Sequence, residues 1–465
     1  MEQHPTDVIF RNRYLSLIAA LFVMVSSGTK DVFPVYSNSM MKALDFDLYK
    51  IQTLGTALNV GTLIGLLPAF VYDFTNGRIT LIISACANFF GYFMIYCALK
   101  NWITFTRHYI FIAFCGFIIG NASAGGFLAC LGDNIKNFGQ GTRGKIIGIL
   151  VACFALSSII YGLFFSYVFP DDQNKENLNH FILFTALSVT ACYAIGVIFI
   201  SQKQSSVKIN NISLKINDGE GAELGDETPL VDKSDKQTFE EFDQNPLKMI
   251  QSLDFYIFSM LVASGIGSLT TVMNNIAQMV SAYPHDLRGK DPQLIHVIIF
   301  SVTNFLSRLL TGFITDATRR YISRPTWIVA ICFLICFSQI FTALNYYYWM
   351  LYVSAVITGT LCGALWSICP AFISDKWGKK YFGINHEIAL IGAAIVTYLM
   401  STYTMSRVYG EHIDSEDGKT CTQGVHCYQL ALLINASITF LTTCIGVLLI
   451  KRNKKLYEDL LTEDQ

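Results

Sequence analysis

Long apolar runs alternate with short polar segments along nearly the whole chain, at a spacing of roughly 30 residues. A helix needs about 20 apolar residues to cross the hydrocarbon core of a bilayer, and most of these runs reach that length. Because lipid offers the backbone no hydrogen bonds, each run must satisfy its own as a helix. We therefore predict an all-α membrane protein with twelve transmembrane helices, at approximately residues 14–36, 52–72, 79–99, 109–131, 144–168, 180–201, 254–281, 293–315, 326–345, 349–373, 383–405 and 428–450.

One polar stretch interrupts the apolar pattern near the middle of the chain. Its sequence, NDGEGAELGDETPLVDKSDKQTFEEFDQN, is acidic and poor in large apolar side chains, so it cannot bury enough surface to pack. We predict a flexible cytosolic linker there, between two pseudo-symmetric six-helix bundles. The predicted divisions are an N-terminal tail (1–13), a first bundle (14–201), the linker (202–253), a second bundle (254–450) and a C-terminal tail (451–465).

Composition and charge support a membrane protein and predict its orientation. Hydrophobic residues make up 52% of the 465 residues, charged residues make up 14%, and the mean hydropathy is +0.43. The net charge of −1 gives no indication of a nucleic-acid partner. Most lysines and arginines lie in one set of loops, so the positive-inside rule places both termini in the cytosol. The polar start runs directly into the first apolar run, so no cleavable signal peptide is expected.

The eighth predicted span contains an arginine about two turns inside its polar end. A charge at that depth is costly unless it faces a wet cavity or a partner. Arg308, Gly312 and Asp316 are spaced i, i+4 and i+8 and share one helical face, with Asn304 one turn earlier. Snorkelling to the interface is the alternative. Other arginines already occupy that interface: Arg319, Arg320 and Arg324. We predict that Arg308 and Asn304 bind substrate in a solute pathway.

Ionisable residues also occur inside the first and eleventh predicted spans. Adjacent helical residues do not face each other, so Lys30 and Asp31 are not expected to pair. One of them would face the cavity, unless the span ends early and both lie at the outer interface. Glu387 lies about one turn inside its span, where interfacial pairing with Lys379 or Lys380 is favoured over a buried, proton-binding carboxyl. Lys30 remains a substrate-binding candidate, and Asp31 and Glu387 remain proton-coupling candidates.

The seventh predicted span combines a glycine pair with two consecutive asparagines. Gly265 and Gly267 precede Asn274 and Asn275. Glycines and polar runs favour a broken helix that presents backbone groups to a solute. Close helix packing through small residues explains the glycines equally well. We predict that Asn274 and Asn275 bind substrate.

The second and the eighth predicted spans end in a similar arrangement of polar residues. The segments GLLPAFVYDFTNGR and GFITDATRR both place an aspartate ahead of basic residues at the end of a span. Repeats of this kind are typical of transporters in which one half rocks against the other. We therefore predict residues that gate the pathway in these loops and in two basic loops further along the chain. They are Asp73, Gly77, Arg78, Arg143, Gly312, Asp316, Arg319, Arg320 and Asp375.

Four segments carry a likeness to a known family: GTALNVGTLIGLLPAFVYD, NFGQGTRGKIIGILVACFALSSIIY, GTLCGALWSICPAFISDKWGKKYFGI and CTQGVHCY. They resemble the nodulin-like branch of the major facilitator superfamily, which includes the fungal monocarboxylate-transporter homologues. The resemblance implies the major facilitator fold, alternating access around a central cavity and a small organic anion as substrate. Carboxylate-transporting relatives also place an arginine four residues before a glycine, as Arg308 and Gly312 stand, but usually have aspartate at Asn304. The Lys30–Asp31 pair departs from this branch.

Two cysteines stand in the last loop on the side opposite the basic loops. Cys421 and Cys427 predict a disulfide in an oxidising compartment. A metal site, with His412 and His426 as further ligands, is the alternative.

Two short segments resemble sorting signals. In the linker, DETPLV resembles an acidic dileucine signal, with Asp226, Leu230 and Val231 at its key positions. Near the C-terminus, Tyr457 and Leu460 resemble a tyrosine-based signal. Both would recruit sorting adaptors and favour an endolysosomal or vacuolar membrane over the plasma membrane.

The sequence favours a secondary transporter over other classes of membrane protein. It contains no recognisable nucleophile–base arrangement, phosphate-binding glycine loop or ATP-binding domain, so neither an enzyme nor a primary pump is indicated, and no cofactor or metal is expected. The first alternative is a transporter of cations or metal complexes, with Asp31 and Glu387 as ligands. The second is a receptor or scaffold whose linker recruits partners.

Overall fold

The structure, a computed structural model, describes residues 5–46, 48–102, 108–138, 140–169, 176–200, 243–284, 292–413 and 421–462. Within these ranges, twelve helices are long and apolar enough to cross a membrane, which confirms the predicted number. We number them spans 1 to 12 in chain order: Arg13–Ser37, Thr53–Phe74, Gly77–Leu99, Tyr109–Asn137, Thr142–Val168, Glu176–Phe199, Leu253–Asn274, Ile295–Ala317, Arg324–Ala343, Met350–Trp377, Phe382–Glu411 and Gln429–Lys454.

The spans form two six-helix bundles with equivalent packing. In the first bundle span 2 packs on span 4 and span 3 on span 6, whereas in the second span 8 packs on span 10 and span 9 on span 12. Spans 1 and 6 pack together as spans 7 and 12 do. Packed pairs in the two bundles are thus related by a shift of six spans, which is the pseudo-symmetry of the major facilitator fold.

Apolar contact between the bundles is concentrated at one end of the molecule. At the end that carries Arg143 and Arg319, called the basic end below, one apolar cluster includes Leu131 of the first bundle and Phe372 of the second. At the opposite end, called the disulfide end after Cys421 and Cys427, each bundle has its own cluster of buried side chains. The bundles therefore close against each other at the basic end.

Glycines allow spans 5 and 8 to approach closely across this closed end. A Cβ atom on Gly312 would lie 2.6 Å from the carbonyl oxygen of Gly144. A Cβ atom on Gly148 would lie 3.0 Å from the Cα atom of Gly312. Real side chains do not tolerate such separations from backbone atoms, so only glycine permits this contact.

Several spans are not continuous α-helices. Span 1 contains a 3₁₀ segment, Gly28–Val32, before the helix Phe33–Leu44. Span 2 consists of the helices Leu48–Leu63 and Leu66–Phe74. Span 11 begins as Phe382–Thr397 and continues through a π-helical segment, Tyr398–Thr404.

The break predicted in span 7 occurs later in the chain than its glycines suggested. The helix Leu253–Asn274 ends at Asn275, and Ile276–Ser281 follows as a short helix. Gly265 and Gly267 lie within the regular helix instead. A Cβ atom on Gly267 would lie 2.9 Å from the sulfur of Met400, so this glycine serves close packing against span 11.

The end of the predicted linker is structured, which makes the prediction of flexibility wrong for that part. Residues 202–242 lie outside the described residues, but Pro246–Gln251 form a short helix with Met249 fully buried. The carboxylate of Asp243 accepts hydrogen bonds from the backbone N–H groups of Lys379 (2.8 Å) and Lys380 (3.2 Å). These contacts attach the start of the second bundle to the loop between spans 10 and 11.

Candidate functional site

A cavity of about 240 Å³ lies between the two bundles. Arg308 and Glu387 border it on the side of the basic end, and the lining continues through Phe33, Pro34 and Ser406 towards the disulfide end. The basic end is closed, so the cavity is approached from the disulfide end. Its charged and titratable lining groups are Lys30, Asp31, Arg308, Cys362, His386 and Glu387.

Arg308 is buried beside the cavity and is held by polar contacts from both bundles. Its Nε donates to Oδ1 of Asn304 (2.8 Å), and its Nη1 donates across the interface to the carbonyl oxygen of Val151 (2.8 Å). Its guanidinium carbon lies 5.9 Å from the centre of the Phe154 ring. Among the described residues, no carboxylate forms an ion pair with Arg308. The snorkelling alternative is wrong, because the Arg308 side chain is buried beside the cavity and does not reach the membrane surface.

Lys30 and Asp31 form an ion pair at the cavity wall, contrary to the sequence expectation. Lys30 has a long flexible stem, which lets its ammonium group fold back onto the adjacent carboxylate. Its Nζ also approaches Oδ1 of Asn59 in span 2 at 3.4 Å. Lys30 is 8% exposed, so the alternative that the two residues lie at an outer interface is also wrong.

Glu387 is buried at the cavity wall, and the favoured interfacial pairing with Lys379 or Lys380 is wrong. Its Oε2 accepts a hydrogen bond from the backbone N–H of Gly65 in span 2 (3.0 Å). Its Oε1 lies 3.0 Å from Nδ1 of His386. Glu387 lies only five residues after Phe382, where span 11 begins, and would be expected at the membrane surface. Span 2 packs over this part of span 11 and shields the carboxylate from that surface.

The two asparagines predicted in span 7 border the cavity and join span 7 to span 11. Nδ2 of Asn274 donates to Oγ of Ser401 (3.2 Å), and Nδ2 of Asn275 donates to the carbonyl oxygen of Ser401 (3.0 Å). Asn275 also stands at the helix break. Asn304 borders the cavity through its contact with Arg308.

The sequence analysis did not predict several cavity residues, among them Asn59, Cys362 and His386. For His386 a signal existed, because a histidine stands directly beside a carboxylate near the start of a span. Asn59 and Cys362 gave no comparable signal, since polar amides and single cysteines are common on packed helix faces.

Charged residues at the basic end form a buried network across the bundle interface. Nη2 of Arg324 lies 3.1 Å from Oδ1 of Asp316, and its Nη1 pairs with Asp375. From the first bundle, Nη1 of Arg143 approaches Oδ1 of Asp375 (3.3 Å) and donates to Oγ of Ser374 (3.0 Å). The network therefore joins span 5 to spans 8, 9 and 10.

The aspartates that end spans 2 and 8 occupy equivalent positions. Oδ2 of Asp316 accepts from the backbone N–H of Lys145 at the start of span 5 (2.9 Å). Asp73 accepts from the backbone N–H groups of Gly383 (3.1 Å) and Ile384 (2.6 Å) at the start of span 11. Each aspartate thus accepts from the backbone of a helix in the other bundle, and Asp73 caps the N-terminus of span 11, where a negative charge is favourable.

The remaining predicted gating residues do not enter that network in the same way. Nε of Arg78 donates to the carbonyl oxygen of Ile200 (3.0 Å), within the first bundle. Gly77 packs against the Asp133 carboxylate, also in the first bundle. Arg319 is buried at the basic end, whereas Arg320 is exposed.

At the other end, the structure joins Cys421 and Cys427 in a disulfide. In the part of the chain that the structure describes, no three His, Cys, Asp or Glu side chains form a group that could hold a metal ion. The sorting-signal candidates Asp226, Leu230 and Val231 lie outside the described residues. Tyr457 and Leu460 fall in the helix Gln429–Thr462.

Comparison with known proteins gives matches along both bundles. Residues 13–215 match the family model Nodulin-like, and residues 241–459 match the model NFD4, C-terminal domain. "Probable transporter MCH1" of Candida glabrata is 22% identical, with 94% of this chain and 93% of the relative covered. The protein of the same name in Wickerhamomyces anomalus is 24% identical, with 88% and 82% covered.

Among solved structures, the crystal structure of the E. coli fucose:proton symporter FucP is similar to this chain. The TM-score is 0.58 at 10% sequence identity, over 94% of this chain and 98% of that one. The likeness shows the fold, in agreement with the two bundles described above. Family models thus match both bundles, and along most of its length the chain is similar to the nodulin-like branch of the major facilitator superfamily.

Proposed function

We propose that this secondary transporter moves a small organic anion through the cavity between its bundles. The observation that carries the proposal is the environment of Arg308, a buried cation that borders the cavity and has no carboxylate partner among the described residues. An arginine has five N–H donors, of which Asn304 and Val151 take two. The others remain for Cys362 and for a substrate carboxylate, which guanidinium groups bind through paired hydrogen bonds.

The size and lining of the cavity support a monocarboxylate as the substrate class. At about 240 Å³, the cavity is smaller than the roughly 300–1,000 Å³ of pockets for drug-sized ligands. Phe154, Trp366 and Leu390 give it apolar walls for the hydrocarbon part of such a solute. The resemblance to fungal monocarboxylate-transporter homologues points to the same class.

A proton is the proposed coupling ion. Asp31 already pairs with Lys30, so Glu387 is the preferred proton carrier. With Glu387 protonated and His386 neutral, the cavity keeps one net positive charge, which comes from Arg308. Protonation therefore removes a charge that repels the anion, and binding of the proton and the anion favour each other.

We further propose that the basic end faces the cytosol, following the positive-inside rule. The disulfide end then faces an oxidising lumen or the cell exterior, which suits the Cys421–Cys427 bridge. The sorting-signal candidates support an endolysosomal or vacuolar membrane, with sorting adaptors as partners, over the plasma membrane.

Uptake by purified protein in proteoliposomes tests the proposal. Labelled pyruvate and lactate should enter in a saturable way, faster with an inward proton gradient, and other small carboxylates should compete. Labelled zinc and iron are assayed in parallel. Uptake of a metal with no uptake of either acid would refute the anion assignment. A variant lacking residues 205–240, which leaves the docked residue Asp243 in place, should transport normally and would lose function only in a scaffold.

A further inference from the structure

Span 2 is interrupted beside the cavity, and residues from elsewhere satisfy its backbone at the break. Pro68 has no N–H to donate to the carbonyl oxygen of Ile64 four residues earlier, so the helix cannot continue there. Nδ2 of Asn121 in span 4 donates to that oxygen (2.9 Å) and to the carbonyl oxygen of Gly61 (3.2 Å). The free N–H of Gly65 at the break donates to Glu387 instead.

The Glu387 bond is a contact between the two bundles. Gly65 belongs to the first bundle and is the N-cap of the helix Leu66–Phe74, whose N-terminus favours a negative charge. Glu387 belongs to the second bundle and reaches it from span 11. The contact lies between the cavity and the closed basic end, in the same interface as the Asp73 cap on span 11. Spans 2 and 11 cannot separate while it holds.

We propose that the Glu387 carboxylate is a proton-controlled latch that keeps the basic end closed, and that His386 is its positioning residue. Ionised, the carboxylate accepts from Gly65 N–H and from Nδ1–H of His386. A proton from the cavity binds Nε2 of His386 while the Nδ1 proton passes to Oε1 of Glu387, so the imidazole stays neutral and its Nδ1 then accepts from the carboxylic acid. The bond from Gly65 thereby changes from a charge-assisted to a neutral one, which is roughly half as strong.

The position of His386 suits this role. Its ring lies between Phe127 of span 4 and Phe382 of span 11, with ring centres 5.7 Å and 5.6 Å away. This packing directs Nδ1 at Oε1 of Glu387 (3.0 Å). Both residues border the cavity, so a proton can arrive from the disulfide end while the basic end is closed.

Other charged and titratable groups surround the latch. Those on elements packed against span 11, or across the cavity from it, include Tyr72, Asp73, Asp133, Lys136, Lys248, Asp254, Cys362, Asp375, Lys376, Lys30, Asp31 and Arg308. Of these, Asp73 is the other carboxylate that joins spans 2 and 11 directly. It caps a helix start at the basic end, does not border the cavity and can take up a proton itself, so the latch is tested with and without it.

The latch deepens the proposed transport function, but its test needs no substrate. Fluorophores are placed through non-natural amino acids at Thr75 and Lys380, exposed residues beside the Asp73 cap, and energy transfer is measured on single molecules in nanodiscs. Distributions are recorded from about pH 8 to about pH 4, and the open population with low transfer should rise as the pH falls. Glu387→Gln should raise the open-to-closed ratio on the order of tenfold at high pH and, in a protein that also carries Asp73→Asn, remove the remaining pH dependence.

Two further variants separate the latch from general loosening of the interface. Asp73→Asn should raise the open population at high pH, and the pH dependence that remains in this variant should disappear when Glu387→Gln is added. His386→Phe, which keeps a ring between Phe127 and Phe382, should shift the transition to higher pH. A wild-type distribution that does not change with pH would overturn the latch, and so would a pH response in the Asp73→Asn, Glu387→Gln double variant as large as that of Asp73→Asn alone. Failure of pyruvate uptake alone would overturn only the substrate assignment.

Discussion

Replacing Arg308 gives the sharpest test of the anion site. The side chain uses Nε and Nη1 to hold its place against Asn304 and Val151, each at 2.8 Å, which leaves Nη2 and one Nη1 hydrogen for Cys362 and the ligand. Arg308→Ala removes both the positive charge and the paired N–H donors of the guanidinium group. Arg308→Lys keeps the charge but cannot contact Asn304, Val151 and a carboxylate together from one ammonium group.

The expected loss follows from the hydrogen bonds removed. A hydrogen bond to a charged group contributes about 1.5–3 kcal/mol, so losing a two-bond contact in Arg308→Ala should cost about 3 kcal/mol or more. That corresponds to at least a hundredfold weaker binding. Arg308→Lys keeps one charged contact, so the loss should be about tenfold.

Ligand-induced thermal stabilisation measures these affinities on purified protein, and proteoliposome uptake gives the matching KM. Arg407→Ala is the control, because Arg407 is exposed, stacks on Tyr403 and does not border the cavity. It should bind and transport as the wild type does. Anion binding within threefold of wild type in a well-folded Arg308→Ala protein would refute the reasoning, since the threefold range is far below the hundredfold loss expected.

Three further predictions concern stability. Arg324→Met removes the cation that pairs with Asp316 and leaves Asp375 paired with Arg143 alone, so it should destabilise the protein by about 3–5 kcal/mol, read as a lower Tm. Burial, followed by nearby Arg143, lowers the pKa of Lys379 to about 8, so its charge opposes folding at neutral pH. Lys379→Met should therefore raise the Tm at pH 7, and this gain should shrink as the pH rises above about 8 and the wild-type lysine loses its proton. Reducing the Cys421–Cys427 disulfide opens a short covalent loop and should lower the free energy of unfolding by about 2 kcal/mol. The stability of a variant with serine at both positions should not change when the reductant is added.

Local sequence patterns were sufficient for much of the architecture. Twelve apolar runs gave twelve spans, because a backbone in lipid has almost no alternative to the helix. The i, i+4, i+8 spacing put Arg308, Gly312 and Asp316 on one face, and in the structure all three meet span 5. The repeat of aspartate and basic residues after spans 2 and 8 also had a local signature, so the symmetry of the halves was visible before any contact was known.

Local patterns gave wrong or incomplete answers where a side chain depends on a distant partner. Lys30 and Asp31 pair because a flexible stem bends back, which helical spacing does not describe. Residues 243–252 follow directly on the acidic stretch, yet Asp243 is held by backbone donors of the loop between spans 10 and 11 and Met249 is buried. The depth of Glu387 could not be read from its distance to the span end, because span 2 covers it.

The sequence by itself determined that this chain is a twelve-span membrane protein of two similar halves, with one costly arginine on a glycine-lined face. The length of an apolar run and the helical spacing of its residues depend only on residues close together in the chain, so both can be read without knowing the fold. Tertiary structure alone decided which groups complete each other across the halves, such as Asp73 on span 11 and Glu387 on the broken span 2. A hydrogen bond requires atoms within about 3 Å, and only packing of the two bundles brings residues so distant in the chain that close.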